Sequence, residues 1–193
     1  AAPDVAARYA LNHLKIDPRE VTILQLGEQS TRLEAMKAGQ LDAAILLPPI
    51  TTIAQKDGMN VLLDMSELGG EFLITGMASS QKFLTQNKPS AIRLMRAFVE
   101  GIHFFKTQRR ESEKIIARYM RTDNLEAVGA TWEYFAAKIV PRKPYPSPKG
   151  VKALLDLAAK ERPEAAKAAP ERFINTTLLK ELDDSGFIDG LYR

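Results

Sequence analysis

Seven residues in two short segments are the candidates for contacting a small molecule. They lie at or just beyond the ends of two apolar runs, VTILQL and LDAAILL, and are Gly27, Glu28, Gln29, Leu46, Leu47, Pro48 and Pro49. Ligands in open α/β sheets bind beyond the carboxyl ends of strands. Pro49 can also begin a helix, whose free N-terminal amides can face an anion. The segments therefore predict non-covalent binding, although residues 27–29 could equally form a loop that only turns the chain.

The residue types that usually carry catalysis or bind metals are scarce. The sequence has no cysteine, which excludes disulfides, thiolate metal sites and a cysteine nucleophile. Its two histidines, His13 and His103, would need a third ligand to bind a metal, and we expect each to be packed or solvated instead. We find no nucleophile elbow, no glycine-rich phosphate loop and no metal-ligand spacing. We therefore expect no catalytic residue, no metal site and no cofactor.

Three acidic residues are weaker candidates for a site. Asp4 can cap the first helix or border a ligand. Asp42 is expected to hold a helix–strand corner through hydrogen bonds. Glu71 follows Gly69 and Gly70, whose backbone freedom suits a hinge, so Glu71 is a candidate for the hinge or the ligand cleft.

Composition and charge describe an ordinary globular protein. Of 193 residues, 45% are hydrophobic and 26% are charged, and the formal net charge is +3. Basic residues alternate with acidic ones, as in RRESEK (109–114), so we expect no nucleic-acid partner. No stretch approaches the roughly 20 apolar residues of a membrane span.

The first part of the chain alternates between two kinds of pattern. Helical spacing, capping residues and terminal glycines predict helices over residues 4–14, 30–39 and 49–58. Short apolar or β-rich runs predict strands over residues 21–27, 41–47 and 60–65. This alternation favours an α/β fold with a mostly parallel sheet, in which all-apolar strands are buried on both faces.

The chain becomes almost entirely helical after an extended segment at residues 69–80. Amphipathic patterns predict helices over residues 89–107, 111–120, 124–139, 149–161 and 170–186. The proline-rich run VPRKPYPSP (140–148) predicts a rigid connector between two of these helices.

Four motifs in this order resemble the periplasmic solute-binding proteins of ABC importers of the nitrate/sulfonate/taurine type. They are RLEAMKAGQLDAAILLPP, AQKDGMNVLLDM, NKPSAIRLMRAFVEGIHFF and LLKELDDSGFIDGLY. Members of that family carry Ala-Leu-x-x-Gly-x-Val-Asp-Ala, a proline after the following strand, and Asn-Pro at the start of a long helix. The corresponding stretches here are Ala35–Ala43, Pro49 and Asn87–Pro89.

The resemblance implies two α/β lobes of the periplasmic-binding-protein type II kind, with the ligand in a cleft between them. Residues 1–72 would form most of lobe two, and residues 73–193 the mainly helical C-terminal part of lobe one, whose N-terminal part the chain lacks. The implied function is to bind a small polar or anionic molecule in the periplasm and deliver it to a membrane permease. Relatives that bind sulfonates often have an aromatic residue where Leu47 lies and a polar one where Pro48 lies, which disfavours a sulfonate.

Two other classes of protein share this kind of module. One is an enzyme similar to the synthase of the thiamine pyrimidine precursor, but that group uses a cysteine-rich motif and active-site histidines. The other is a ligand-sensing regulatory domain, which would need a DNA-binding or membrane segment. An uncovered sheet edge would also favour self-association.

Overall fold

The computed structural model describes residues 2–67, 76–159 and 162–193. The α-helices in these ranges are α1 (Ala2–His13), α2 (Gln29–Lys37), α3 (Ile50–Lys56), α4 (Gln81–Gln86), α5 (Lys88–Thr107), α6 (Arg109–Met120), α7 (Leu125–Tyr134), α8 (Pro148–Ala158), α9 (Thr177–Asp184) and α10 (Phe187–Gly190). A π-helical stretch, Phe135–Ile139, continues α7, and short 3₁₀ helices occupy Met65–Glu67, Pro163–Lys167 and Pro170–Phe173. Of the helices described, none is both long and apolar enough to cross a bilayer.

Local sequence signals predicted most helix ends to within a few residues. Gly39 has a φ of +68°, and its N–H donates to the carbonyl of Met36 at 3.0 Å, which ends α2 as predicted. The prediction for Asp4 as a helix cap was wrong. Helix α1 already begins at Ala2, so Asp4 lies in its first turn and accepts a hydrogen bond of 3.2 Å from Arg8 Nε.

The strands predicted over residues 21–27, 41–47 and 60–65 are not present. These segments are irregular, and the described part of the chain contains no strand. An extended run forms a strand only when a neighbour accepts and donates its backbone hydrogen bonds, and the described residues provide no such ladder. Apolar side chains in these segments also stay in solvent: Leu24 is 54% exposed and Leu62 is 71% exposed. The predicted sheet is therefore not confirmed. The second half is mainly helical, as predicted, but the single helix predicted over residues 170–186 is instead a 3₁₀ helix at Pro170–Phe173 followed by α9.

The chain forms two compact units. The first comprises Ala1–Gly69 and Ile116–Tyr134, and the second Gly70–Ile115 and Phe135–Arg193. The domain boundary predicted between residues 72 and 73 remains a prediction.

Helix α3 packs against both α2 and α7 in the first unit. The buried side chains are mostly small, which lets the helices approach closely: Leu33 and Ala35 on α2, Ala54 on α3, and Ala127 and Val128 on α7. Ion pairs join the same helices at the surface. Lys37 Nζ lies 2.7 Å from Asp57 Oδ2, and this hydrogen bond raises the pKa of Lys37. Lys56 pairs with Glu126.

The core of the second unit is formed by α5, α9 and α10. Val99 and Ile188 are fully buried, and Leu179 and Leu182 complete the cluster. The long helix α5 is amphipathic because apolar side chains recur on one face, as the sequence predicted. Arg96, on the same helix, lies over the ring of Phe187 at 4.4 Å from its centroid.

The proline-rich connector is held to α9 and α10 by polar contacts. Lys143 Nζ lies 2.7 Å from Asp183 Oδ1 and 3.0 Å from Asp189 Oδ1. The hydroxyl of Tyr145 donates to Asp183 Oδ2 at 2.9 Å. These contacts, Lys143 first, lower the pKa of Asp183. The prediction of a non-helical connector in this region is confirmed.

Candidate ligand-binding site

The two predicted binding segments meet through one hydrogen bond. The backbone N–H of Leu47 donates to Oε1 of Gln29 at 2.6 Å, across 18 residues of sequence. Gln29 is half-buried and is the first residue of α2. The structure therefore brings together residues 27–29 and 46–49, which the sequence had singled out separately.

The first segment turns the chain into α2. Gly27 has a φ of +56°, a left-handed conformation that favours glycine, and it is exposed. Glu28 follows at the N-cap position of α2, and its side chain makes no capping hydrogen bond. Its carbonyl oxygen accepts from the N–H of Arg32 at 3.2 Å. The segment does form a turn, so the turn-only interpretation is compatible with the structure.

The second segment leads into α3. Leu46, Leu47 and Pro48 are half-buried and Pro49 is buried, and the peptide bond between the two prolines is cis. The carbonyl of Leu47 accepts from the N–H of Thr51 at 3.2 Å. Helix α3 begins at Ile50, one residue after the predicted start. The segment presents a mainly apolar surface beside the polar side chain of Gln29.

Two polar residues next to these segments were not predicted from the sequence as candidates for the site. Arg32 is half-buried, its Nε atom is buried, and its side chain makes no hydrogen bond or ion pair with any described residue. The buried hydroxyl of Thr51 likewise has no partner there. A signal was available: Arg32 stands three residues after Gln29, so both lie on one face of α2.

The other predicted residues do not join this arrangement. Glu71 lies outside the described residues. Asp42 is exposed and its carboxylate makes no hydrogen bond to a described residue, so the expectation that it holds a corner was wrong. His13 is exposed at the end of α1, and His103 packs edge-on against Tyr192 with 4.9 Å between ring centroids.

The described ranges contain no metal-binding cluster, and the two best-formed cavities lie in the second unit. No three histidine, aspartate or glutamate side chains there are close enough to hold a metal ion. Two cavities open in the second unit, one of about 380 Å³ that includes Leu84 and Asn175, and one of about 530 Å³ that includes Leu155 and Phe173. Neither cavity includes a residue predicted to bind a ligand. The two segments and the neighbouring Arg32 thus bring together one amide, one guanidinium and several apolar side chains in the first unit.

Comparison with known proteins places the chain in a family. The profile of the NMT1-like family matches residues 1–120, which include both binding segments and helices α1 to α6. No curated protein and no solved structure matches the chain. The matched residues make up more than half of the 193 in the chain. The chain therefore belongs to the NMT1-like family.

Proposed function

We propose that this protein is the solute-binding component of an ABC-type importer, and that it holds a small polar or anionic molecule without changing it. Membership of the NMT1-like family supports a solute-binding role. The proposal includes the two-lobed α/β fold of periplasmic binding proteins, with residues 1–72 and 73–193 in different lobes. It also includes a periplasmic location and a membrane permease as the partner that receives the solute.

The hydrogen bond from Leu47 to Gln29 is the observation that supports the site most directly. It uses the carbonyl oxygen of the Gln29 amide and leaves the amide NH₂ without a partner among the described residues. An amide NH₂ can donate two hydrogen bonds, and here it is held in place by the fold. Small-molecule sites usually combine a few fixed polar groups with apolar side chains, as Gln29 and the second segment do here.

The side chains of the two segments suit binding better than chemistry. Glu28 is the only ionisable residue among the seven, and it is exposed. General acid–base catalysis needs a positioned titratable group, and covalent catalysis needs an activated nucleophile. Glycine, glutamine, leucine and proline side chains supply neither. We therefore propose capture and release of the solute, without turnover.

A thermal-stability screen against small polar and anionic solutes tests this function. A solute that binds only the folded state, at about 100 times its dissociation constant, raises the free energy of unfolding by about 2.7 kcal/mol. We expect at least one solute to raise the melting temperature, and mass spectrometry to recover it unaltered. A chemically altered solute would favour the enzyme alternative, and a screen without any stabilising solute would contradict the proposal.

Two substitutions of Gln29 locate the site. Gln29→Glu keeps an oxygen that accepts from Leu47 but loses the NH₂ donors, so it should weaken solute binding while the melting temperature without solute changes little. Gln29→Met removes both the acceptor for Leu47 and the NH₂ donors. It should therefore lower both the affinity for the solute and the melting temperature without solute. Gln25→Met, at an exposed position four residues earlier, is the matched control and should leave binding unchanged.

A further inference from the structure

Two buried polar atoms of the first unit lack the partners that buried polar atoms normally have. They are Nε of Arg32 and Oγ1 of Thr51, and neither makes a hydrogen bond within the described ranges. Most buried polar atoms in folded proteins are hydrogen-bonded, because an unsatisfied one opposes folding. The Arg32 guanidinium also carries a positive charge, which favours an anionic partner.

Each of these two residues lies one turn beyond a residue that joins the binding segments. Arg32 is one helical turn beyond Gln29 on α2, and Thr51 is one turn beyond Leu47, whose carbonyl accepts from its N–H. Gln29 and Leu47 are themselves hydrogen-bonded, and α2 packs against α3. The unpartnered guanidinium and hydroxyl therefore belong to the two packed helices, α2 and α3, that follow residues 27–29 and 46–49.

The carboxylates closest to Arg32 in sequence do not neutralise it. Glu28 is four residues earlier and Glu34 two residues later, and both are exposed. Neither makes an ion pair with Arg32, and Glu34 pairs with Lys37 at 3.4 Å instead. The positive charge of Arg32 therefore remains available to a ligand.

We propose that Arg32 and Thr51 recognise an anionic group of the solute, and that this group is the carboxylate of a small organic acid. The assignment rests on the proposed function. A guanidinium donates two parallel N–H hydrogen bonds to a planar carboxylate, and the hydroxyl of Thr51 would donate a third. One cation balances one negative charge, so a monoanion fits better than a phosphate dianion. The half-buried Leu46, Leu47 and Pro48 suit the apolar body of an organic acid.

Calorimetric titration with matched acids and amides tests this assignment. The probes are acetate, butyrate, benzoate and phenylacetate, each beside its neutral amide, with sulfate and nitrate as inorganic anions at constant ionic strength. We expect at least one acid to bind and its amide to bind much more weakly. Arg32→Gln should weaken binding of that acid by about 10- to 100-fold, and Thr51→Val by about 2- to 10-fold. The affinity of Arg32→Lys for the acid should lie between those of wild type and Arg32→Gln, because lysine keeps the positive charge but not the two parallel N–H donors.

The controls separate a binding role from a structural one. Arg19→Gln removes the same charge from an exposed pair with Asp17, where the Arg19 side chain is 90% exposed, and should leave acid binding unchanged. Because the Arg32 guanidinium has no protein partner, Arg32→Gln should keep the wild-type melting temperature when no solute is present. If Arg32→Gln does not fold, Arg32→Lys and Thr51→Val still provide the comparison.

The outcomes distinguish this inference from the proposed function. Acid binding that is unaffected by Arg32→Gln, or a solute that binds only as a neutral molecule, would overturn the assignment and leave solute binding intact. Equal binding of sulfate or nitrate through Arg32 would overturn the carboxylate class. Failure of every probe and of every solute in the thermal screen would overturn both proposals.

Discussion

The ammonium group of Lys106 donates a hydrogen bond of 2.7 Å to the carbonyl oxygen of Val140 and another to the carbonyl oxygen of Ala136. Lys106 lies in the last turn of α5. Ala136 lies within the π-helical stretch Phe135–Ile139, where the partner of a carbonyl would stand five residues on and so beyond the stretch, and Val140 is the residue after it. Carbonyls at a helix end have no partner within the helix. One side chain therefore satisfies two backbone acceptors of the second unit.

Replacement of this lysine should destabilise the fold. Lys106→Met keeps much of the apolar stem but leaves both carbonyls without their donor, so we expect the free energy of unfolding to fall by about 1–3 kcal/mol. Urea denaturation at neutral pH measures this change. Lys114→Met is the matched control, because Lys114 is 71% exposed and its pair with Glu111 at 2.7 Å is worth less than about 1 kcal/mol. Equal losses in the two variants would contradict the assigned role.

The same residue should impose a pH dependence in alkaline solution. Burial, and then the charge of Arg142, lowers the pKa of Lys106 below its ordinary value of 10.5. Between the lowered pKa and 10.5 the unfolded chain binds more protons than the folded chain, so stability rises with pH in that window. The neutral amine still donates to both carbonyls. We therefore expect the stability difference between wild type and Lys106→Met to widen as the pH rises through the window. A difference that narrows would show that the positive charge, not the hydrogen bonding, is what stabilises this site.

Helices were predictable because their signals are local. The span predicted for the long helix, 89–107, differs by one residue from Lys88–Thr107, since a proline in the first turn and amphipathic spacing mark it within the helix itself. Strands depend on a neighbour that may be distant in sequence. The run LDAAILL is apolar enough for a buried strand, but in the described residues it pairs with no other strand and leads into α3 instead.

The binding segments were predictable one at a time, and their arrangement was not. Gln29 and Leu47 were singled out from their positions next to apolar runs, whereas the hydrogen bond between them depends on how α2 and α3 pack. Arg32 and Thr51 were missed for a related reason. A sequence shows that an arginine is present, but burial of its Nε and the absence of a partner are properties of the folded chain.

Two leucines in the second unit should respond very differently to truncation. Leu182 is 5% exposed in the core cluster, whereas Leu94 on α5 is 57% exposed. Leu182→Ala should lower the free energy of unfolding by about 2–5 kcal/mol, because it loses buried apolar surface and leaves a cavity. Leu94→Ala should change it by less than about 0.5 kcal/mol. Urea denaturation of both variants, with unchanged m-values, is the measurement. Similar losses at the two positions would mean that α9 does not pack into the core as described.

Two glycines with equal space around them should respond in opposite directions to alanine. Nothing lies within 4 Å of a Cβ added at Gly39 or at Gly101, so backbone conformation alone decides the result. Gly39 has a φ of +68°, which costs an alanine about 1–2 kcal/mol. Gly101 lies inside α5, where alanine is favoured over glycine by about 0.5–1 kcal/mol. We therefore expect Gly39→Ala to lower the melting temperature and Gly101→Ala to raise it. Gly39→Asn is the control, because asparagine tolerates the left-handed region better and should restore part of the loss. A Gly39→Ala variant as stable as wild type would show that α2 does not end at this glycine.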